Sequence, residues 1–267
     1  MKSWFLAAPW VPRSLSVSAW INARRKFLMQ TRRLHDGAES FEVSVYEAAS
    51  VSPVALFAVG AGGHPERHSS LLERLAKSGF TVVAPHFERL TSPRPSETDL
   101  ILRARRLTLS LEAFVHPDET AVGVGHSIGA TTLIALAGGQ MWLGPGLLVN
   151  VTPDSRLNRL ALLAPPIRFF QVPGALDAVT VPILAWVGTE DSITPPAQAE
   201  WLAHAMCHRQ TIDVRITKGA GHFSFMDQPP PQSLEPLQNK QAFIAEYSGE
   251  VCRFLAGSGA PTMVSGE

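Results

Sequence analysis

The segment Gly125-His126-Ser127-Ile128-Gly129 constrains the fold of this chain more than any other part of the sequence. An apolar run, 120–124, leads into it, and a run of small and apolar residues, 130–136, leads out, which predicts a strand, a sharp turn and a helix. Such a turn strains the backbone of its serine, and glycines on both sides leave room for the crossing main chains. We therefore expect Ser127 to lie exposed at a helix N-terminus, where the helix dipole favours negative charge. The pattern alone also fits a surface turn rich in glycine and serine.

Short apolar runs alternate with helix-like stretches along the rest of the chain. This alternation predicts a mostly parallel sheet with helices on both faces and with the chemistry at the carboxyl ends of the strands. The strand-like runs are 41–46, 54–59, 81–85, 120–124, 159–163, 181–187 and 211–216. The helix-like runs are 70–78, 98–114, 130–136, 196–206 and 237–255. The connections 138–154 and 167–178 are long enough to cover the site, but the second is too short for a separate cap domain.

Length and charge restrict the class of protein. The chain has 267 residues, of which 45% are hydrophobic, and this is enough for one large α/β domain with a buried sheet. A formal net charge of zero predicts no nucleic-acid partner. The sequence contains no run of about 18 apolar residues, so no membrane span is predicted. We therefore expect a cytoplasmic domain that acts on small molecules, and the sequence leaves its oligomeric state open.

The charge of the N-terminal segment differs from that of the rest of the chain. Basic residues but no acidic residue precede Asp36. Residues 1–28 are therefore interpreted as an over-long start or disordered tail, as an organelle-targeting segment, or as an ordered arm. The domain itself is expected to span 29–256, followed by a flexible tail, 257–267.

Two further residues, each just past a strand-like run, are of the types that activate a serine. A serine hydroxyl is a weak nucleophile, so it needs a histidine to accept its proton and a carboxylate to orient that histidine. Asp191 lies just past the run 181–187, and His222 lies just past the run that ends at residue 216. Glu190 is the adjacent alternative, but its side chain is expected to point the other way. The order serine, aspartate, histidine, each at the exit of a successive strand, is typical of one fold.

These segments together resemble the α/β-hydrolase family, and most closely its branch of dienelactone hydrolases and platelet-activating-factor acetylhydrolase-like enzymes. The resemblance covers about residues 29–256. Besides the segment around Ser127, its carriers are 59–63, 82–85, 188–195 and 221–222.

The resemblance implies a cofactor-independent serine hydrolase of the carboxylesterase type. By this likeness Ser127 is the nucleophile, His222 the general base and then acid, and Asp191 the orienting carboxylate. The amides of Ala61 and Ile128 correspond to the oxyanion hole of the family. The implied substrate is a small or accessible ester or thioester, which is cleaved through an acyl-enzyme intermediate.

The sequence departs from the family pattern at three positions. Val59 stands where the glycine-rich segment usually has a histidine. His86 stands where an aspartate is common, and we expect a structural role for it. Dienelactone hydrolases use cysteine as nucleophile, so Ser127 favours ordinary ester hydrolysis. Two other classes stay open: a non-hydrolytic enzyme on the same scaffold, such as a perhydrolase or lyase, and a slow-turnover receptor that binds a ligand.

Other histidines have simpler interpretations. His64 and His68 flank the glycine-rich segment, where they could contact a substrate, although solvent-facing or helix-capping roles are expected. His126 is expected to pack beside the site without reacting. His204 and His208 are four residues apart on one helix, but no third ligand follows, so no metal site is predicted.

Several remaining residues have a structural and a functional interpretation. The aromatic segments 169–170 and 223–226 are expected either in the core or in the wall of an apolar pocket, and Phe223 is the better pocket candidate because it adjoins the histidine. Asp227 is expected to be a loop residue. Cys207 and Cys252 are expected to be reduced, buried thiols in helices.

Overall fold

The computed structural model describes residues 29–48, 52–209, 212–233 and 235–257. The expectations for residues 1–28 and for residues 258–267 fall outside these ranges.

A central sheet of eight strands organises the domain. The strands of the described residues are β1 (Met29–Asp36), β2 (Glu39–Tyr46), β3 (Val54–Ala58), β4 (Thr81–Pro85), β5 (Ala121–His126), β6 (Met141–Gly144), β7 (Leu147–Val149), β8 (Leu157–Leu163), β9 (Ile183–Gly188) and β10 (Ile212–Thr217). The order in the central sheet is β1-β2-β4-β3-β5-β8-β9-β10, while β6 and β7 pair separately. Strands β1 and β2 run antiparallel to their neighbours, and the other pairs of the central sheet are parallel. The predicted α/β class is confirmed, and every predicted strand-like run falls on a strand of this sheet.

Helices cover the sheet in two groups. They are α1 (Ser69–Lys77), α2 (Glu97–Phe114), α3 (Ile128–Leu136), α4 (Pro196–Met206) and α5 (Lys240–Leu255), with 3₁₀ turns at Pro65–His68 and Arg168–Phe170. Helix α1 packs against α5, and α2 packs against α3. All residues of β3, β5 and β9 are buried, which explains why these strands, apart from His126 at the end of β5, are apolar throughout rather than alternating. Helix α3 is buried along its whole length, so its small side chains permit close packing on the sheet.

Two elements were not predicted from the sequence. Strand β1 is polar and mostly exposed, and it is held by main-chain pairing with β2 along its full length rather than by burial. The connection 138–154 contains an antiparallel hairpin of β6 and β7. Strand β1 lacks the apolar run by which the other strands were recognised, whereas β6 and β7 are apolar but only four and three residues long.

The cysteine prediction was correct for one residue and wrong for the other. Cys252 lies in α5 and is buried, as expected. Cys207 follows the last residue of α4 and is exposed, because the helix ends at Met206. In the part of the chain that the structure describes, no helix combines the length and apolarity needed to cross a membrane.

Candidate active site

The turn between β5 and α3 places Ser127 at the carboxyl edge of the sheet. Its backbone has φ 54° and ψ −130°, which is a strained conformation for a residue with a side chain. A Cβ atom at Gly125 would lie 2.6 Å from the amide nitrogen of Ala130, and one at Gly129 would lie 2.1 Å from the carbonyl oxygen of Ala58. Both glycines are therefore sterically required, and the partly exposed serine projects from a rigid support.

Ser127, His222 and Asp191 form a continuous hydrogen-bonded chain. The Oγ of Ser127 lies 3.0 Å from Nε2 of His222, and Nδ1 of His222 lies 2.8 Å from Oδ2 of Asp191. The three residues follow β5, β10 and β9, whose carboxyl ends meet at one edge of the sheet. His222 and Asp191 are buried, so water is largely excluded from the bond between them.

The carboxylate of Asp191 is held on both oxygens. Its Oδ1 accepts main-chain hydrogen bonds from Ile193 at 2.9 Å and from Thr194 at 2.7 Å, while Oδ2 accepts from the Thr194 hydroxyl at 2.6 Å. Burial alone would raise the pKa of Asp191, but hydrogen bonds from His222 and Thr194 outweigh it and lower that pKa. The alternative, Glu190, is exposed, and its carboxylate accepts a bond from the neighbouring Thr189 instead.

A second buried histidine supports the loop that carries His222. The Nε2 of His126 lies 3.0 Å from the carbonyl oxygen of His222. Because a carbonyl can only accept, the proton of the neutral His126 ring is on Nε2. Burial lowers the pKa of His126 well below its ordinary value, and the neighbouring His68 and His222 rings lower it further. A neutral ring is therefore packed 5.0 Å from the His222 ring.

The same loop is anchored again at Phe225. Its carbonyl oxygen accepts hydrogen bonds from Nδ1 of His68 at 3.0 Å and from the Tyr247 hydroxyl at 2.8 Å. His68 is only 1% exposed, and burial lowers its pKa to about 4. His68 occupies the N-cap position of α1, but its side chain makes no capping hydrogen bond. Its ring packs in the core, tilted against those of Phe57 and His126, so the expected solvent-facing or capping role of this side chain is wrong.

The glycine-rich loop after β3 faces the serine from the other side. Its carbonyl groups are occupied: Leu90 donates to Ala61 at 2.9 Å, and Phe87 donates to Gly63 at 3.0 Å. The amide of Ala61 and that of Ile128, the first residue of α3, have no acceptor among the hydrogen bonds of the described residues. These two amides are the donors predicted for the oxyanion hole.

Arg103 anchors the start of the glycine-rich loop, where Val59 stands at the position of the usual histidine. It lies on α2, which begins at a capping box formed by Ser96 and Asp99, and its Nη1 donates to the carbonyl oxygen of Val59 at 3.1 Å. The guanidinium also lies over the ring of Phe87, 4.7 Å from its centroid. Burial lowers the pKa of Arg103 to about 10. A charged side chain from a distant helix therefore supports the start of the glycine-rich loop.

The chain is similar in structure to known hydrolases, although no protein-family model and no curated protein matches its sequence. A dienelactone hydrolase from Anabaena variabilis superimposes with a TM-score of 0.60 at 18% identity, covering 85% of this chain and 98% of that chain. For an esterase from Pyrococcus furiosus the TM-score is 0.61 at 13% identity, with coverages of 94% and 99%. An esterase from Thermogutta terrifontis superimposes with a TM-score of 0.59 at 17% identity, covering 87% of this chain and 95% of that chain.

This chain has the α/β-hydrolase fold. The predicted resemblance is confirmed at the level of the fold, with a dienelactone hydrolase among the similar structures. In this α/β-hydrolase fold, no cap domain is present among the described residues.

The aromatic residues predicted for the core or for a pocket wall differ in their exposure within the α/β-hydrolase fold. Phe223 is partly exposed, and its ring stands edge-on to that of His222 with centroids 5.2 Å apart. Phe225 packs in the core against Phe243 and Tyr247. The segment 169–170 is also buried. Of these candidates, Phe223 therefore combines exposure with contact to the histidine.

Asp227 has a more definite role than a loop residue. Its Oδ2 accepts from the amide of Ser70 at 2.9 Å, and both carboxylate oxygens contact the hydroxyls of Ser69 and Ser70. These residues open α1, so the carboxylate satisfies one of the free amides at the N-terminus of that helix, that of Ser70. This bond joins the segment after His222 to α1.

The structure also assembles a group of potential metal ligands that the sequence did not predict. One ligand atom each from His64, Glu66 and His86 lies within 4.8 Å of the others. His204 and His208, the spaced pair considered from the sequence, are both exposed, and the described residues bring no third ligand to them. The sequence did not reveal this group because His86 follows a different strand from His64 and Glu66, so the three residues form no recognisable spacing pattern.

Proposed function

We propose that this protein is a cofactor-independent serine hydrolase that cleaves a carboxylic ester or thioester through an acyl-enzyme intermediate. The observation that carries the proposal is the continuous chain from Ser127 through His222 to Asp191, with separations of 3.0 Å and 2.8 Å. These distances match the hydrogen-bond reach needed between a nucleophile, its base and the group that orients the base. The similarity of the fold to two esterases is in accord with it.

The reaction we propose begins with attack of Ser127 Oγ on the substrate carbonyl carbon. His222 accepts the serine proton at Nε2, and the buried carboxylate of Asp191 stabilises the imidazolium that forms. The amides of Ala61 and Ile128 donate to the tetrahedral oxyanion, aided by the N-terminus of α3. Collapse of this intermediate transfers the proton to the leaving alcohol or thiol. Water then attacks the acyl-enzyme with His222 again as base, and the acid is released.

The immediate surroundings favour a small or accessible substrate. Phe223 is the side chain we propose for the wall of the acyl or alcohol pocket, because it lies beside His222 with part of its ring exposed. The nucleophile differs from the cysteine of dienelactone hydrolases, which directs the proposal to ordinary esters. We propose a small-molecule ester as the partner of this site, and no nucleic acid.

Labelling with a fluorophosphonate probe tests the proposal directly. The full chain is treated with the probe, and the adduct is located by mass spectrometry, while p-nitrophenyl esters of increasing acyl length are assayed in parallel. We expect one adduct on Ser127 and faster turnover of short esters. Ser127→Ala should abolish the adduct and lower kcat by several orders of magnitude, since such residues act as a unit.

A matched substitution controls for general effects. Ser92 is an exposed loop serine whose hydroxyl donates to the carbonyl of Arg94, and Ser92→Ala should keep full activity. Substantial turnover by a folded Ser127→Ala variant would show that the proposed mechanism is wrong. A folded wild-type protein that forms no adduct and hydrolyses no ester would also contradict the proposal.

A further inference from the structure

Three side chains that the proposed reaction does not use converge beside the glycine-rich loop. His64 and Glu66 come from the segment that opens the 3₁₀ turn Pro65–His68, and His86 directly follows β4. One ligand atom from each lies within 4.8 Å of the others. Two imidazoles and one carboxylate are a recurring ligand set of zinc sites that keep a fourth position open for water.

The measured separation within the group fits the size of a zinc ion. The Nε2 of His86 lies 3.4 Å from Oε1 of Glu66, which is longer than a charge-assisted hydrogen bond of about 2.8 Å. In a tetrahedral zinc site with bonds of about 2.0 to 2.2 Å, neighbouring ligand atoms lie about 3.4 Å apart. This pair is therefore already spaced as two ligands of one ion.

Both sides of the group are held in place by the fold. The amide of His86 donates to the carbonyl of Glu42 at 2.9 Å, and the hydroxyl of the buried Ser44 lies 2.7 Å from Nε2 of His86. On the other side, Pro65 begins the short 3₁₀ turn and limits the freedom of its neighbours. A metal bound at Nε2 takes the place of Ser44 as the partner of that nitrogen.

An ion can reach these ligands from solvent. His64 is exposed, and the side chain of Glu66 is 45% exposed, whereas that of His86 is 19% exposed. Arg67, the next residue after Glu66, directs its Nη1 toward the carbonyl oxygen of Gln228 at 3.4 Å. The carboxylate of Glu66 therefore faces His86 rather than a guanidinium.

We propose that His64, Glu66 and His86 bind a divalent zinc ion, with water as the fourth ligand. The bound ion joins the end of the glycine-rich loop to the end of β4. The same two segments are already joined where Phe87 donates to the carbonyl of Gly63 at 3.0 Å. A Cβ atom at Gly63 would lie 2.0 Å from the carbonyl oxygen of Phe87, so the two main chains are in direct contact. Zinc thereby stabilises the segment that carries the Ala61 amide, and this site is separate from the Ser127 chemistry.

Zinc binding to the full chain, freed of metal by a chelator, tests the proposal by isothermal titration calorimetry. We expect one zinc per chain and an increase in Tm of roughly 5 °C at saturating zinc. Co²⁺ in place of zinc should give the visible absorption of a four-coordinate ion. His64→Ala and His86→Ala should each weaken zinc binding at least tenfold. Because His64 is exposed, its replacement leaves the core unchanged, so lost binding in that variant does not reflect unfolding.

Two control variants make the result specific. The double variant His204→Ala, His208→Ala removes exposed histidines elsewhere and should bind zinc as the wild type does. Ser127→Ala should also bind zinc normally, so that binding is measured independently of ester hydrolysis. The proposal is overturned if the wild type binds no stoichiometric zinc. It is equally overturned if His64→Ala and His86→Ala bind zinc as tightly as the wild type does, whatever the double control does.

Discussion

Replacing Asp191 by asparagine should reverse the hydrogen bonding of the base. The main-chain amides of Ile193 and Thr194 both donate to Oδ1, so an asparagine keeps its carbonyl oxygen at that position. Its NH₂ group then occupies the place of Oδ2 and donates toward Nδ1 of His222. The ring proton must move to Nε2, which then donates toward Ser127 Oγ and no longer accepts from it. The isosteric change thus disables the base while preserving the packing.

The size of the effect follows from the charge that is lost. At an effective dielectric constant of about 20, unit charges about 4 Å apart attract by about 4 kcal/mol. The carboxylate that would stabilise the imidazolium lies 2.8 Å from Nδ1, within this range. About 4 kcal/mol corresponds to roughly 10³ in rate. In serine hydrolases with such a triad, an Asp to Asn change that imposes the wrong histidine tautomer lowers kcat about 10⁴-fold. We therefore expect kcat of Asp191→Asn to fall about 10³- to 10⁴-fold.

The assay compares kcat for p-nitrophenyl acetate and the rate of fluorophosphonate labelling in Asp191→Asn and in Glu190→Gln. Glu190 is the adjacent, exposed carboxylate, and its neutralisation should change kcat less than about twofold because its charge is screened by solvent. Near-UV circular dichroism verifies that both variants are folded. If folded Asp191→Asn keeps kcat within tenfold of the wild type, or if Glu190→Gln is the inactive variant, the reasoning is refuted.

Three further substitutions test the supports of the site. Gly129→Ala places a Cβ atom 2.1 Å from the carbonyl of Ala58 and should lower the Tm by roughly 10 °C in calorimetry, whereas an unchanged Tm would contradict this steric argument. Arg103→Met leaves the carbonyl of Val59 without its donor and should lower kcat about tenfold, with partial recovery in Arg103→Lys; full activity of the methionine variant would show that this anchor is dispensable. Because burial keeps the pKa of His126 below that of the unfolded chain, protonation favours unfolding as the pH falls below about 6.5. The free energy of unfolding, measured by urea denaturation at pH 6 and pH 5, should therefore fall by about 1 kcal/mol less per pH unit in His126→Asn than in the wild type. An equal fall in both proteins would refute the titration of His126.

Much of the fold and the arrangement of the central site could be predicted because the signals are local. The glycines around Ser127 are required by close main-chain contacts within and beside one turn, and that requirement is visible in five consecutive residues. Asp191 and His222 follow strands, and the rules for parallel sheets place such residues at one edge. Strand β1 escaped prediction because pairing, and not an apolar pattern, holds it in the sheet.

The amino-acid sequence by itself determined seven of the eight strands of the central sheet, the five α-helices of the described residues, the strained turn at Ser127 and the order of serine, aspartate and histidine. These features depend on periodicity, on backbone conformations that few residues tolerate and on the direction of each strand.

Only the tertiary structure decided which distant side chains support them. It brought Arg103 to the carbonyl of Val59 and His126 to the carbonyl of His222. It also joined His86 to the histidine and glutamate before α1. The physical reason is that each of these contacts depends on the packing of separate elements and on side-chain rotamers, which leave no periodic signal along the chain.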